Sequence, residues 1–174
     1  MNAALENLLT RRACRAYEPK QIKDEELNAI LEAGTYAPTG RGLQTPLIVA
    51  IQDPDTYAKV ENLNAAAMDF ANPHPFYGAP TVVVVFYDSD SPLGFADANL
   101  VLGNIVNAAN AVGIDSCYIW RAKESFETDE GKALKKEWGI PDNYLGAANV
   151  VLGYGIAEGR NVAPPRKDDY IRII

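Results

Sequence analysis

The order of apolar and polar residues predicts that the chain begins with two helices. Leu5, Leu8 and Leu9 recur at helical spacing and indicate a short first helix. The second helix is predicted to begin at Asp24, whose carboxylate suits an N-cap, and to end before Pro38. Its apolar residues share one face, so we expect this helix to pack against the rest of the fold.

Continuous apolar runs farther along the chain are typical of buried strands. These runs are residues 47–51, 81–86, 116–120 and 149–154. Three helices are predicted between them: one opened by Asp53 and Pro54, a small-residue helix over 97–112, and a surface helix rich in Glu and Lys that reaches Trp138. The small-residue helix carries few charges, and we expect it to be buried, with a subunit interface as one candidate location. Helices alternating with about four strands predict a single α/β or α+β domain over residues 1–174.

Composition narrows the functional classes. The 174 residues suffice for one hydrophobic core, and a net charge of −7 argues against nucleic acid or an anionic membrane as the main partner. No apolar run approaches the roughly 20 residues that span a bilayer, and the first residues lack the pattern of a secretory signal. Two cysteines, Cys14 and Cys117, are too few for a disulfide framework. These features predict a cytoplasmic protein with a small-molecule ligand.

A cluster of three arginines follows the first predicted helix. Arg11, Arg12 and Arg15 stand within five residues of an acidic chain, and guanidinium groups suit a phosphate because their planar donors fit two oxygens at once. A solvated helix end is the alternative, since arginine also opposes the negative end of the helix dipole. Cys14 lies between these arginines; they would favour its thiolate, but a small packed hydrophobe is the favoured interpretation.

A glycine-rich loop joins the second predicted helix to the first predicted strand. Residues 37–46 read Ala-Pro-Thr-Gly-Arg-Gly-Leu-Gln-Thr-Pro. Glycine lets backbone approach a ligand closely, and the Gln44 amide offers a donor and an acceptor in one group. Taken alone, the segment is better explained as a long turn, and a ligand-binding role is favoured only when it is considered together with the arginines before it.

Five segments in order resemble the nitroreductase family of FMN-dependent oxidoreductases. They are residues 11–15, 37–44, 77–80, 108–116 and 152–154. The similarity extends over nearly the whole chain. It implies a nitroreductase-like α+β fold of three layers, in which helices flank a mostly antiparallel sheet of four to five strands and the flavin lies at a dimer interface.

The resemblance assigns the arginine cluster to the flavin. It implies that Arg11, Arg12 and Arg15 bind the FMN phosphate and ribityl chain and that Ala13 contributes backbone. The family usually has serine at the position of Ala13, so a hydroxyl contact is missing here.

The glycine-rich loop corresponds to a family loop that reaches across the dimer to the partner's flavin. The matching residues are Pro38, Thr39, Gly40 and Gln44. Gly42 stands where asparagine is usual, and Thr45-Pro46 replaces a common Pro-Trp. These departures concern the substrate side of the pocket more than the flavin.

Three further segments complete the site that the resemblance implies. Asn72 aligns with a position that contacts the pyrimidine edge of the flavin. The segment whose backbone approaches flavin N5 and O4 corresponds to Ile119, Trp120 and Arg121. Arg166 and Lys167 match a basic pair that returns to the phosphate.

The function implied is that of an FMN-dependent, NAD(P)H-consuming oxidoreductase acting as a homodimer. Hydride would pass from NAD(P)H through flavin N5 to a nitroaromatic, quinone or similar electron-poor acceptor, with no catalytic side chain named. Reductive dehalogenation or flavin fragmentation on the same scaffold, a non-catalytic flavin sensor or store, and an anion-binding protein without flavin are the alternatives. His74 is the only histidine, so no metal site is expected.

Overall fold

A four-stranded antiparallel sheet forms the centre of the fold in the computed structural model, which describes residues 2–68 and 72–174. The strands are Leu47–Ile51 (β1), Thr81–Asp88 (β2), Asp115–Ile119 (β3) and Tyr144–Gly153 (β4). They lie in the order β1-β2-β4-β3, so β2 and β4 are central and β3 is an edge strand.

Helices cover both faces of the sheet. They are Ala3–Thr10 (α1), Asp24–Thr35 (α2), Pro54–Ala66 (α3), Gly94–Ala111 (α4), Ala122–Glu127 (α5) and Asp129–Glu137 (α6). One apolar cluster joins α2 and α4 to the sheet, and a second joins α3, α5 and α6 to its opposite face. The predicted three-layer α+β fold is therefore confirmed. Among the described residues, no helix is both long enough and apolar enough to cross a membrane.

The central strand β2 explains why one apolar run predicted a strand so clearly. Val82, Val84 and Phe86 belong to one cluster, while Val83 and Val85 belong to the other, and all five are fully buried. A strand covered by helices on both faces needs apolar residues at every position, which replaces the usual alternation by a continuous run.

The surface helix predicted up to Trp138 is instead two helices, α5 and α6. Thr128 separates them in an extended conformation, and its hydroxyl accepts a hydrogen bond from the Gly131 N–H at 3.0 Å. The break is a threonine N-cap inside a stretch whose composition favours helix throughout. A Cβ at Gly131 would lie 2.2 Å from the Ser125 carbonyl oxygen, so glycine lets the two helices meet.

Two other differences from the predicted boundaries have a clear local cause. The cap of α2 is Lys23, not Asp24, and the Lys23 N–H is held by the Glu26 carboxylate at 2.9 Å. Strand β4 begins at Tyr144, earlier than the predicted residue 149. Its first half contains Gly146, whose ideal Cβ would lie 2.6 Å from the Ala122 backbone. Small residues there let α5 pack closely. This half of β4 therefore lacks the β-branched side chains from which a strand is predicted.

Candidate active site

Backbone hydrogen bonds hold the arginine cluster in an extended segment between β3 and the residues that follow β4. The Cys14 N–H donates to the Ser116 carbonyl at 3.0 Å, and the Arg15 N–H donates to Gly159 at 2.8 Å. The Ala13 carbonyl accepts from the Asn161 N–H at 3.1 Å. The cluster is thus fixed at the edge of the sheet by β3 and by the segment that follows β4.

The three guanidinium groups occupy different surroundings. Arg12 donates from Nη1 to the carbonyls of Leu9 and Arg11, at 2.8 and 2.6 Å, and so closes the end of α1. The exposed Arg15 lies over the Tyr77 ring, with its Cζ 5.9 Å from the ring centroid. Arg11 is half-buried. The helix-end interpretation therefore describes Arg12, whereas Arg15 points to a different part of the surface.

Both cysteines are packed in the core. Cys14 is fully buried, and a Cβ at Gly155 would come within 2.5 Å of its Sγ. Burial raises the pKa of the Cys117 thiol, which disfavours a thiolate. The interpretation of Cys14 as a small hydrophobe is confirmed.

The glycine-rich loop has an unusual backbone. Arg41, Gly42 and Gln44 all have positive φ, at 57°, 67° and 52°. The Gln44 N–H donates to the Thr39 hydroxyl at 3.0 Å, which closes the loop. Left-handed backbone favours Gly and tolerates Asn, so Gly42 is compatible with a position at which the family usually has asparagine.

Three of the predicted loop residues line one cavity. Its volume is about 590 Å³, and its walls are Thr35, Tyr36, Ala37, Pro38, Thr39, Gly42 and Gln44. Tyr36 is 79% exposed at its rim. The structure therefore brings Pro38, Thr39 and Gln44 together at the surface.

A buried carboxylate anchors this loop. Asp97 lies in the first turn of α4, is 6% exposed, and accepts the Gly40 N–H at 3.0 Å from each carboxylate oxygen. A negative charge at this end of a helix is also favoured by the helix dipole. The Gly40 N–H is thus held by α4, while its carbonyl accepts the Leu43 N–H of its own loop at 3.2 Å.

Replacing Asp97 with alanine is expected to lower the free energy of unfolding by about 1.5–3 kcal/mol, the range for a hydrogen bond to a charged group. Urea denaturation measures the change. Asp55→Ala is the matched control, because Asp55 stands in the first turn of α3 and is exposed. It should cost at most about 1 kcal/mol, the helix-dipole contribution alone. Equal losses in the two variants would contradict the anchoring role.

The chain turns sharply after β3, where the resemblance places the edge of the flavin. Ile119 ends the strand and is buried, Trp120 is 51% exposed, and Arg121 adopts a left-handed conformation with φ of 79°. Trp120 and Arg121 line a cavity of about 230 Å³ together with Tyr87 and Phe95.

Asn64 is a residue that the sequence analysis missed. It is fully buried on α3, and its Nδ2 donates to the Trp120 carbonyl at 2.8 Å. The available signal was its spacing, because Asn64 follows the buried Val60 by four residues and so shares the apolar face of α3.

The remaining predicted residues are Asn72 and the basic pair Arg166 and Lys167, and the hydrogen bonds of Asn72 and Arg166 are local in sequence. Asn72 is half-buried and accepts the His74 N–H at 3.2 Å. His74 itself is exposed, with Nδ1 3.8 Å from a Glu61 carboxylate oxygen. Arg166 and Lys167 lie in an exposed tail, where Arg166 donates to the Pro164 carbonyl at 2.8 Å.

Comparison with known proteins identifies relatives along most of the chain. A model of the nitroreductase family matches residues 8–154. A protein of Archaeoglobus fulgidus with the provisional name NADH dehydrogenase/NAD(P)H nitroreductase is 31% identical over 159 residues, which cover 88% of this chain and 86% of the relative. The crystal structure of a nitroreductase with bound FMN from Bacteroides fragilis is 30% identical, with a TM-score of 0.87 and complete coverage of both chains. An FMN-bound nitroreductase from Desulfitobacterium hafniense, 24% identical, has the same fold at a TM-score of 0.87 over 100% of this chain and 99% of that one.

Proposed function

Because the chain belongs to the nitroreductase family, we propose that it is a homodimeric oxidoreductase that binds FMN and oxidises NAD(P)H to reduce nitroaromatic, quinone or similar electron-poor acceptors. The observation that carries this proposal is the arginine segment, whose extended backbone is tied to β3 and to residues 155–161. FMN-bound relatives support the choice of ligand.

The donors on this surface suit the chemistry of FMN. A phosphate monoester carries close to two negative charges, and Arg11 and Arg15 supply cations beside a backbone that is already held in place. Arg166 and Lys167 lie in an exposed tail and would add positive charge if the tail met the phosphate of this chain or of a partner. Around the ring, Asn72 offers an amide and the segment 119–121 offers backbone N–H groups.

When bound, FMN would supply the redox chemistry that couples oxidation of NAD(P)H to reduction of the acceptor. The chain supplies binding and orientation. In this proposal the arginines hold the phosphate, the 119–121 backbone holds the edge of the ring, and the exposed Trp120 limits access of water to that edge. Gln44 and Thr39 line the cavity of the glycine-rich loop and would contact a ligand that enters from the partner's side.

The dimer is supported by apolar side chains left on the surface. They include Leu5, Leu8, Leu9, Leu100, Tyr170, Ile171, Ile173 and Ile174. Helix α1 buries none of its residues, although three leucines define its apolar face. Apolar surface of this extent marks an interaction site, and a second copy is the occupant we propose.

Sedimentation of the protein and of a Leu8→Glu, Leu9→Glu variant tests this assembly. We expect a dimer for the parent and a weakened dimer for the variant, with Lys59→Glu as a charge control on an exposed position of α3. A parent protein that sediments as a monomer while fully loaded with FMN would overturn the dimer proposal.

The function is tested by the visible absorption spectrum of the purified protein, recorded before and after NADH or NADPH is added under anaerobic conditions. Flavin bands that bleach with a nicotinamide support the oxidoreductase and identify its donor. Bands that persist would favour a flavin sensor or store. Turnover with nitro, quinone and halogenated acceptors then separates nitro and quinone reduction from reductive dehalogenation. A colourless protein that takes up no added FMN would refute the proposal.

A further inference from the structure

Among the residues that the structure describes, the Asn64 side chain makes a single hydrogen bond, and that bond goes to the backbone of the proposed flavin edge. Asn64 is fully buried, and its Nδ2 lies 2.8 Å from the Trp120 carbonyl oxygen. Only the amide nitrogen can donate to a carbonyl, so chemistry fixes the orientation of this amide. Its Oδ1 is buried without a hydrogen-bond partner among the described residues.

This bond fixes the direction of the next backbone N–H. The Trp120 carbonyl and the Arg121 N–H belong to one planar trans peptide, in which they point in opposite directions. Because Asn64 holds the carbonyl from inside the core, the Arg121 N–H is directed away from α3.

The following peptide is also held. The Arg121 carbonyl accepts the Ser125 hydroxyl at 2.7 Å and the Ser125 N–H at 3.0 Å. Arg121 therefore sits between two fixed carbonyls, with φ of 79°. A left-handed conformation is unfavourable for a side chain of this size and persists only where the surroundings impose it.

Packing alone does not account for an amide at this position. Asn64 occupies a face of α3 whose neighbours Val60 and Leu63 belong to the apolar core. Burying an amide there carries a desolvation penalty that an aliphatic side chain would avoid. What the amide adds is one directed hydrogen bond.

We propose that Asn64 is a positioning residue of the FMN site, which aims the Arg121 N–H at the N5 edge of the flavin by holding the Trp120 carbonyl. The inference rests on the proposed function. Oxidised flavin has an acceptor lone pair at N5, whereas reduced flavin carries a hydrogen there. An N–H aimed at N5 therefore favours the oxidised form, and loss of its alignment should raise the reduction potential.

The test is the two-electron midpoint potential of bound FMN in Asn64→Leu, measured with a reference dye. We expect the ratio of the oxidised to the reduced dissociation constant to rise about tenfold, which is about 30 mV for a two-electron couple. Asn64→Gln retains the amide donor and should shift the potential less. An Asn64→Leu protein that holds FMN at the parent potential overturns the proposal.

Asn149→Val is the matched control. Asn149 lies opposite Val84 and Ile119 in the sheet, on the face packed against α3 and α5, and it is 1% exposed. Neither its Oδ1 nor its Nδ2 has a hydrogen-bond partner among the described residues. The control therefore removes a buried amide from the same layer, and the potential should stay at the parent value. An equal shift in both variants would mean that layer packing, not peptide alignment, sets the potential.

Nuclear magnetic resonance of the parent protein keeps the proposal testable if Asn64→Leu does not fold. The Asn64 side-chain hydrogens should exchange slowly with and without FMN, and the Arg121 amide resonance should move when FMN is added. Exchange as fast as that of the exposed Asn161 would refute the proposal. A parent protein that binds no flavin refutes the proposed function itself, whereas a flavoenzyme with an unshifted Asn64→Leu potential refutes only the role of Asn64.

Discussion

Replacing Phe126 with alanine is expected to lower the free energy of unfolding by about 3–5 kcal/mol, the range for removing a large aromatic from a core. Phe126 is 1% exposed and packs edge-to-face on Phe86, with ring centroids 4.9 Å apart. It also contacts Trp138, at 5.8 Å between centroids. It thus joins α5 to β2 and to the residue that follows α6. Denaturant unfolding of the apo protein measures the loss.

Phe95→Ala is the control for this substitution. Phe95 makes a comparable edge-to-face contact with Tyr87 at 5.4 Å, but it is 44% exposed. The expected loss is about 0.5–1.5 kcal/mol, the range for the aromatic pair itself. If the two variants lost the same stability, the core position of Phe126 would not explain its effect. Because α5 begins directly after Arg121, a destabilised Phe126→Ala protein should also hold FMN less tightly.

Removing Arg11 or Arg15 is expected to weaken FMN binding about 10- to 150-fold, which corresponds to about 1.5–3 kcal/mol for a hydrogen bond to a charged group. The assay is quenching of flavin fluorescence when FMN is added to apo protein. Riboflavin, which lacks the phosphate, separates the contacts. Substitution of a residue that binds the phosphate should weaken the affinity for FMN and leave the affinity for riboflavin nearly unchanged.

Arg12→Ala removes the same charge from the same segment and is the matched comparison. Its guanidinium already donates to two carbonyls at the end of α1. If these contacts persist in the complex, Arg12→Ala should weaken FMN binding less than Arg11→Ala does. A variant of Arg11 that binds FMN as tightly as the parent would remove that residue from the proposed phosphate site.

The strands were predictable where burial on both faces dictated composition. The β2 run of valines admits few alternatives, and the Asp53-Pro54 start of α3 is confirmed by the bond from the Thr56 N–H to Asp53 at 2.9 Å. The break between α5 and α6 was not predicted, since it depends on one threonine within a strongly helical composition. The early start of β4 was hidden because Gly146 is set by contact with α5, a tertiary effect.

For the candidate site, the sequence proposed segments rather than contacts, and the assignment of these segments to FMN stays a prediction. Family resemblance identified the arginine segment and the turn at Trp120, but it could not distinguish the surroundings of Arg12 and Arg15. The roles of Asp97 and Asn64 depend on partners far away in sequence, Gly40 and Trp120. The local sequence pattern carries no information about such partners. In the sequence alone, a buried polar residue of a helix cannot be distinguished from an exposed one.

The tie between the arginine segment and the residues after β4 also constrains how the chain is made. Arg15 pairs with Gly159, and Ile156 pairs with Ala16, so the segment acquires these two partners only after residue 159 has been synthesised, later than its partner Ser116 in β3. A nascent chain still held on a ribosome before residue 161 emerges would expose the arginines without the backbone partners that follow β4. Capture of FMN should therefore be a late event that follows release of this segment, and flavin binding by stalled chains of increasing length should begin abruptly rather than gradually.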